Sequence, residues 1–320
     1  FLALVLYQVM KDADAWLTEA DFRYICGAIQ KNHRPTLESA MHAYDHAIAL
    51  LPTGSSTNAR RMRAETLLRL HMYREAFQAF MELSTLSASD VLDDVYSPSF
   101  RLRHDARVLR RLGQAGRVAT EMAEAAAGKL CTVATRIESG AVAKGIDRPK
   151  VADLSPQDAT LLQEANFDEM WRFLPKPNRR FTVWEEEAHA NPCVLNNAAD
   201  WGEVENAYCT TGIAILDDFF SAEALGELWQ YSMESPCFRT VRAGFLGAFP
   251  ADGFVHPIIQ RAALELEQRM PQVLDGHPLG LWWLFKYTDQ GRKGIGIHAD
   301  QAAVNFNIWL TPDKFRRSGG

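Results

Sequence analysis

The sequence predicts a multi-domain chain: an all-α domain over residues 1–140, a connector with short helices over 141–204, and an α+β domain over 205–320. Three observations lead there. The length of 320 residues is about twice that of a typical domain of roughly 100–200 residues. In the first 140 positions apolar residues recur at three- and four-residue spacing among Ala, Leu, Arg, Glu and Met, which is helical periodicity. Beyond Gly212 the texture changes, and strand-like segments accumulate toward the end of the chain.

Within the helical part, Ala40-x3-Tyr44-x2-Ala47 before Pro52 is echoed 36 residues later by Ala76-x3-Phe80-x2-Leu83, with Ala64, Leu67, Leu70 and Tyr73 preceding the second copy. A small residue, an aromatic four later and another small or aliphatic one three further on let antiparallel helices nest and stack. The pattern resembles a tetratricopeptide repeat, which implies a surface for a protein or peptide partner. A non-repeating helical bundle remains the alternative. A third copy is expected around Leu109–Ala119, with Gly113 and Gly116 at its inter-helix turn. Between 141 and 204, Ser155-Pro156, Pro175-Lys-Pro177 and Asn191-Pro192 interrupt the pattern, and Glu185–Glu187 is a solvated acidic run.

The last part opens with Ile213–Leu216, expected as a strand, and with Ser221-x-Glu223, which caps an amphipathic helix through Tyr231. Pro257 starts another helix with Ile259, Leu266, Met270 and Val273 on one face. Leu281–Thr288, Gly294–His298 and the alternating Ala303–Leu310 then read as strands.

Composition excludes several function classes. The balance of 34 basic against 40 acidic side chains, a net charge of −6, argues against nucleic acid as a partner. Apolar runs such as 1–9 and 279–287 are well short of the roughly 18 residues that cross a bilayer, so no membrane association is expected. The five cysteines, Cys26, Cys131, Cys193, Cys209 and Cys237, form no CxxC or CxH group, which points to a reducing, cytoplasmic setting. No GxSxG or phosphate-binding glycine loop occurs.

Chemistry concentrates at His298-Ala-Asp300. An imidazole and a carboxylate two residues apart at a strand end can reach one metal ion, as in a facial triad that leaves open positions on Fe(II). The motif alone is cheap: nine His, each followed two later by an acid at a frequency of 40/320, give about one occurrence by chance. Context adds weight. Tyr287, the glycines from Gly291 to Gly296, His298 with Asp300, Asn305–Leu310 and Ser318-Gly-Gly320 resemble, in that order, the first half of the double-stranded β-helix (jelly-roll) core of Fe(II)- and 2-oxoglutarate-dependent dioxygenases of the prolyl-hydroxylase-like branch. The Ala-Val-Asn and Trp-Leu-Thr-Pro-Asp runs, with the upstream helices, are similar to tetratricopeptide-containing members.

That resemblance implies Fe(II) held by His298 and Asp300, 2-oxoglutarate as cosubstrate, and Tyr287 in the cosubstrate pocket. Asn305 and Asn307 share a strand face with Trp309 and are expected to point into the barrel beside the metal. The third metal ligand and the basic residue for 2-oxoglutarate have no counterpart up to Gly320, so the chain is expected to be a fragment with the catalytic fold continuing beyond it. The alternative, from another class, is a non-catalytic tetratricopeptide-type interaction protein with a degenerate oxygenase-like half. Two further groups are weaker. His42 and His46, with Asp45 between, have i,i+4 spacing and read as a solvated helix face. The arginines at 101, 103, 107, 110, 111 and 117 against Asp105, an excess of 6 − 1 = +5, could hold an acidic peptide or phosphates, or pair with acids on neighbouring helices.

Overall fold

The computed structural model describes residues 13–29, 33–51, 56–86, 99–139, 154–165, 193–242, 245–287 and 302–312. Among the described residues seven helices come first: α1 (Ala13–Ile29), α2 (Arg34–Leu50), α3 (Thr57–Arg69), α4 (Tyr73–Leu86), α5 (Ser99–Gln114), α6 (Thr120–Glu138) and α7 (Pro156–Glu164). Helices α8 (Trp201–Thr211) and α9 (Ala222–Glu234) lead to strands β1 (Thr240–Arg242) and β2 (Phe245–Ala248), then to α10 (Pro257–Arg269), α11 (Pro271–Leu274) and β3 (Leu284–Tyr287). The described residues are thus mostly helical with one small antiparallel sheet, ordered β1-β2-β3.

The early helices pair as the apolar spacing predicts. Trp16 of α1 stacks on His46 of α2 with ring centroids 4.5 Å apart, Tyr44 donates to Asp21 over 2.6 Å, and Gly27 lies against Leu37. Low numbers on α1 meet high numbers on α2, so the two run antiparallel. Gly27 leaves room for that approach, since a Cβ there would fall 2.7 Å from Leu37 Cδ2 and force the buried Leu37 side chain to shift. Helices α5 and α6 pair the same way, with Arg103 reaching Glu138, Arg110 reaching Glu124, and Gly113 against Thr120 and Ala123. The expected turn between them contains Gly116 at a φ of 67°, a left-handed conformation that glycine adopts without steric cost.

Ala40, Tyr44, Ala47, Ala76, Phe80 and Leu83 are all buried, as a nested-helix pattern requires. They serve different cores, however. Ala40 and Tyr44 close a small cluster with Ala20 and Ala59, whereas Ala76, Phe80 and Leu83 join a larger one with Tyr231, Phe238, Leu246 and Trp282. The largest apolar core is therefore shared between α3–α4 and the sheet.

Local signals in the last part hold where they are capping signals. Ser221 accepts from the backbone N–H of Ala224 over 3.3 Å at the start of α9, and Pro257 begins α10 behind His256, whose ring accepts from Ile258 N–H. Two expected strands are absent. Ile213–Leu216 joins no ladder: Ile213 and Ile215 are 69% and 90% exposed, and the Ile213 N–H is taken by Thr211 Oγ1 just past α8. Residues 303–310 likewise form no strand. An amphipathic strand would bury Val304, Phe306, Ile308 and Leu310 together, but Val304 and Leu310 pack on the α8–α11 core while Phe306, with its ring 6.1 Å from that of Phe219, and Ile308 remain exposed. Alternation describes which face a strand would bury; it does not supply the neighbour that makes it a strand. Among the described residues no helix is long and apolar enough to cross a membrane.

Candidate functional site

The sheet has two unlike faces. Cross-strand partners share a face, and the register pairs Leu246 with Lys286 and Ala248 with Leu284 on one side, and Phe245 with Tyr287 and Gly247 with Phe285 on the other. The first side turns to the helices. The second carries Phe245, Phe249, Phe285 and Tyr287 in mutual ring contact, with Phe245 and Phe285 centroids 4.8 Å apart.

Tyr287, proposed from sequence for the cosubstrate pocket, is the last residue of β3 and is 64% exposed. His298 and Asp300 lie outside the described residues. Asn305 and Asn307 are described and are solvent-exposed, with Trp309 84% exposed beside them. The two amides, expected to face inward from a barrel strand, sit on a segment that forms no strand among the described residues; Val304 and Leu310 pack on the α8–α11 core, and the Phe306 ring lies 6.1 Å from that of Phe219. The His42/His46 pair is occupied by ordinary contacts, since His46 stacks on Trp16 and the intervening Asp45 accepts from Arg63 over 2.5 Å. Among the described residues no group of three His, Cys, Asp or Glu side chains could hold a metal ion.

What the sequence reading missed is a buried polar circuit one residue before Tyr287. Lys286 projects from the helix-facing side of β3 with its Nζ 3.2 Å from His104 Nε2 on α5, donating also to the Ser232 carbonyl and lying 4.2 Å from the Phe238 ring centroid. His104 meets Asp105 Oδ1 through Nδ1 at 2.9 Å, Arg101 Nε donates to Asp105 Oδ2 at 2.6 Å, and Arg101 Nη1 donates to the Phe238 carbonyl. An ammonium can only donate, so His104 Nε2 accepts and Nδ1 carries the proton. The imidazole is therefore neutral, its tautomer set from both sides, and the chain Lys286–His104–Asp105–Arg101 closes around Phe238. Asp252, held by the Phe249 N–H over 3.1 Å, and Arg239, donating to the Ser84 carbonyl, lie on the sheet side of the same interface.

Burial governs the titration of these groups. It pushes His104 down to about 4, against the opposing pull of Asp105. Burial alone would raise Asp105, but Arg101, with His104, holds its carboxyl below the usual range. Lys286 falls to about 8, first through burial and then through the charges of Arg107 and Arg111. The Cys237 thiol, also buried, is pushed up to about 11.

A stability prediction follows for His104. Its folded value lies below that of a free imidazole, so between about pH 4 and 6.5 the unfolded chain binds a proton that the native one does not, and stability rises with pH across that window. Acidification from pH 6.5 to 4.5 should cost roughly 2–3 kcal/mol through this group. Urea unfolding midpoints measured across the window should fall less steeply for His104→Asn. Parallel slopes in the two proteins would show that His104 is not the group responsible.

An open cleft of about 360 Å³ lies elsewhere, lined by His71, Glu267, Pro271, Gln272, Leu274, Asp275 and Gly276. Its Glu267 accepts from Tyr73, whose own oxygen accepts the Leu279 N–H over 2.9 Å, so this cleft marks the seam between the α3–α4 turn and α10–α11. No protein family, no curated protein and no solved structure matches the chain.

Proposed function

We propose that this chain carries an Fe(II)- and 2-oxoglutarate-dependent dioxygenase centre that hydroxylates a protein side chain or a small molecule. The observation that carries the reading is the order Tyr287, His298-Ala-Asp300, Asn305 and Asn307 along a chain in which Tyr287 ends β3 of a helix-backed antiparallel sheet. The donor set fits two positions of a ferrous ion, one imidazole nitrogen and one carboxylate oxygen, leaving the remainder for the cosubstrate and oxygen. When bound, the metal with 2-oxoglutarate supplies oxidation of an unactivated C–H bond coupled to decarboxylation of the cosubstrate.

The chain's own groups do the rest. Tyr287 presents a phenol able to donate a hydrogen bond to a carboxylate. Lys286, tied to His104 and Ser232, fixes the strand that delivers it. The paired helices α1–α2, α3–α4 and α5–α6 form tetratricopeptide-like hairpins that receive a protein or peptide partner. All five cysteines are free thiols, consistent with a cytoplasmic setting.

The test is anaerobic titration with Fe(II), then turnover of 2-oxoglutarate to succinate. His298→Ala should weaken metal binding and lower turnover by about 100-fold or more. Equal metal affinity and turnover in that variant would remove His298 from the site. A second reading, a non-catalytic interaction protein, is favoured by the exposure of Asn305 and Asn307 outside any strand. It predicts that neither the metal nor 2-oxoglutarate binds the wild-type protein.

A further inference from the structure

The arginines of α5 separate into two sets. Arg101 is buried against Asp105, and Arg103 and Arg110 are matched on α6 by Glu138 at 2.5 Å and Glu124 at 3.0 Å. Arg107 and Arg111 are exposed, and neither pairs with a carboxylate among the described residues. They stand one helical turn apart, on the side of α5 that His104 turns toward Lys286. Behind them the interface is already positive: Arg101, Arg239 and Lys286 against Asp105 and Asp252, with neutral His104 between. Together with Arg107 and Arg111 the local formal charge is 5 − 2 = +3, in a chain whose net charge is −6.

We propose that the Arg107–Arg111 face of α5 binds an acidic segment of a partner protein, read in an extended conformation with Asp or Glu at alternate positions. Two features select that occupant. Side chains at i and i+4 on a helix are about 6 Å apart, and alternate residues of an extended chain repeat at roughly 6.6 Å on one face, so two successive carboxylates can each meet one guanidinium. Each guanidinium can grip its carboxylate through two N–H donors, a geometry that an ammonium cannot offer. An exposed helix face favours a continuous chain over a small ion, which would engage one arginine at a time. A nucleic acid fits less well, because Phe100 is the sole aromatic residue of α5 for stacking bases and the rest of the chain is acidic. This goes beyond the partner surface proposed above by naming its chemistry, and it does not depend on the metal centre.

The experiment is fluorescence anisotropy on the whole chain without metal or 2-oxoglutarate, so that its failure leaves the dioxygenase proposal standing. The probes are a short labelled peptide with Glu at alternate positions, its Gln counterpart and a single-stranded oligonucleotide of equal charge. The Glu peptide should bind, and Arg107→Glu and Arg111→Glu should each raise its Kd by about tenfold or more, while Arg117→Glu, beyond the helix, changes it by less than about twofold. Arg107→Gln and Arg111→Gln, with circular dichroism to verify folding, guard against a reversal that disturbs α5. Equal Kd values in the wild-type and reversed proteins, equal binding of the Gln peptide, or tighter binding of the oligonucleotide would each overturn the proposal.

Discussion

Arg101→Met is expected to lower the free energy of unfolding by about 3–5 kcal/mol, because it strands a fully buried carboxylate. Asp105 accepts from Arg101 on one oxygen and meets His104 on the other, and neither Arg101 nor Asp105 is more than 2% exposed. Without the guanidinium, Asp105 must remain charged beside a neutral imidazole or take up a proton, and the Phe238 carbonyl loses its donor from Arg101. Removing both charges should be gentler. In Arg101→Met/Asp105→Leu the uncompensated anion is gone, leaving mainly the His104 N–H without its acceptor, a cost of about 1–3 kcal/mol. Chemical denaturation of four proteins, the wild type, Arg101→Met, Asp105→Leu and the double variant, checks this. A double variant as damaged as the sum of the two single changes would mean that the pair is not coupled.

That cluster also marks the limit of what could be read in the sequence. The helices were legible because their apolar residues recur with helical spacing, and Ala40, Tyr44, Ala76 and Phe80 are buried for that reason. Caps such as Ser221 and Pro257 were legible because their chemistry is local. Arg101 and Asp105 were counted as part of a basic helix surface, although they stand at i and i+4 in line with Val108 and Leu112, all four buried. Charges inside an apolar stripe were the available signal. Lys286 gave no such warning, since its partners lie 182 residues away in sequence at His104 and 54 away at Ser232. Residues 303–310 failed in the opposite direction. Their alternation was real, but a strand exists only when a neighbour offers its backbone, and that is a tertiary fact.

Trp282→Ala should cost about 3–5 kcal/mol and should also change how the molecule comes apart. Trp282 is buried just before β3, stacked on Phe77 of α4 with centroids 4.4 Å apart and planes 11° from parallel, and edge-on to Phe80 at 5.7 Å. Its indole N–H donates to the Phe254 carbonyl over 2.7 Å. One side chain thus joins the apolar face of a helical hairpin to the loop and strand of the sheet. Trp282→Phe keeps most of the ring contact and loses the hydrogen bond, so its cost should be nearer 1–2 kcal/mol. In the wild-type protein the shared core makes helices and sheet unfold together, and urea transitions followed by tryptophan fluorescence and by far-ultraviolet circular dichroism should coincide. In Trp282→Ala they should separate, because α1–α2 and α5–α6 retain their own cores. A loss below about 1 kcal/mol, or coincident transitions after the full loss, would show that the joint is carried by the Arg101–Lys286 circuit rather than by the indole. The strand that presents Tyr287 would then be held in place by charge, and its stability would depend on pH.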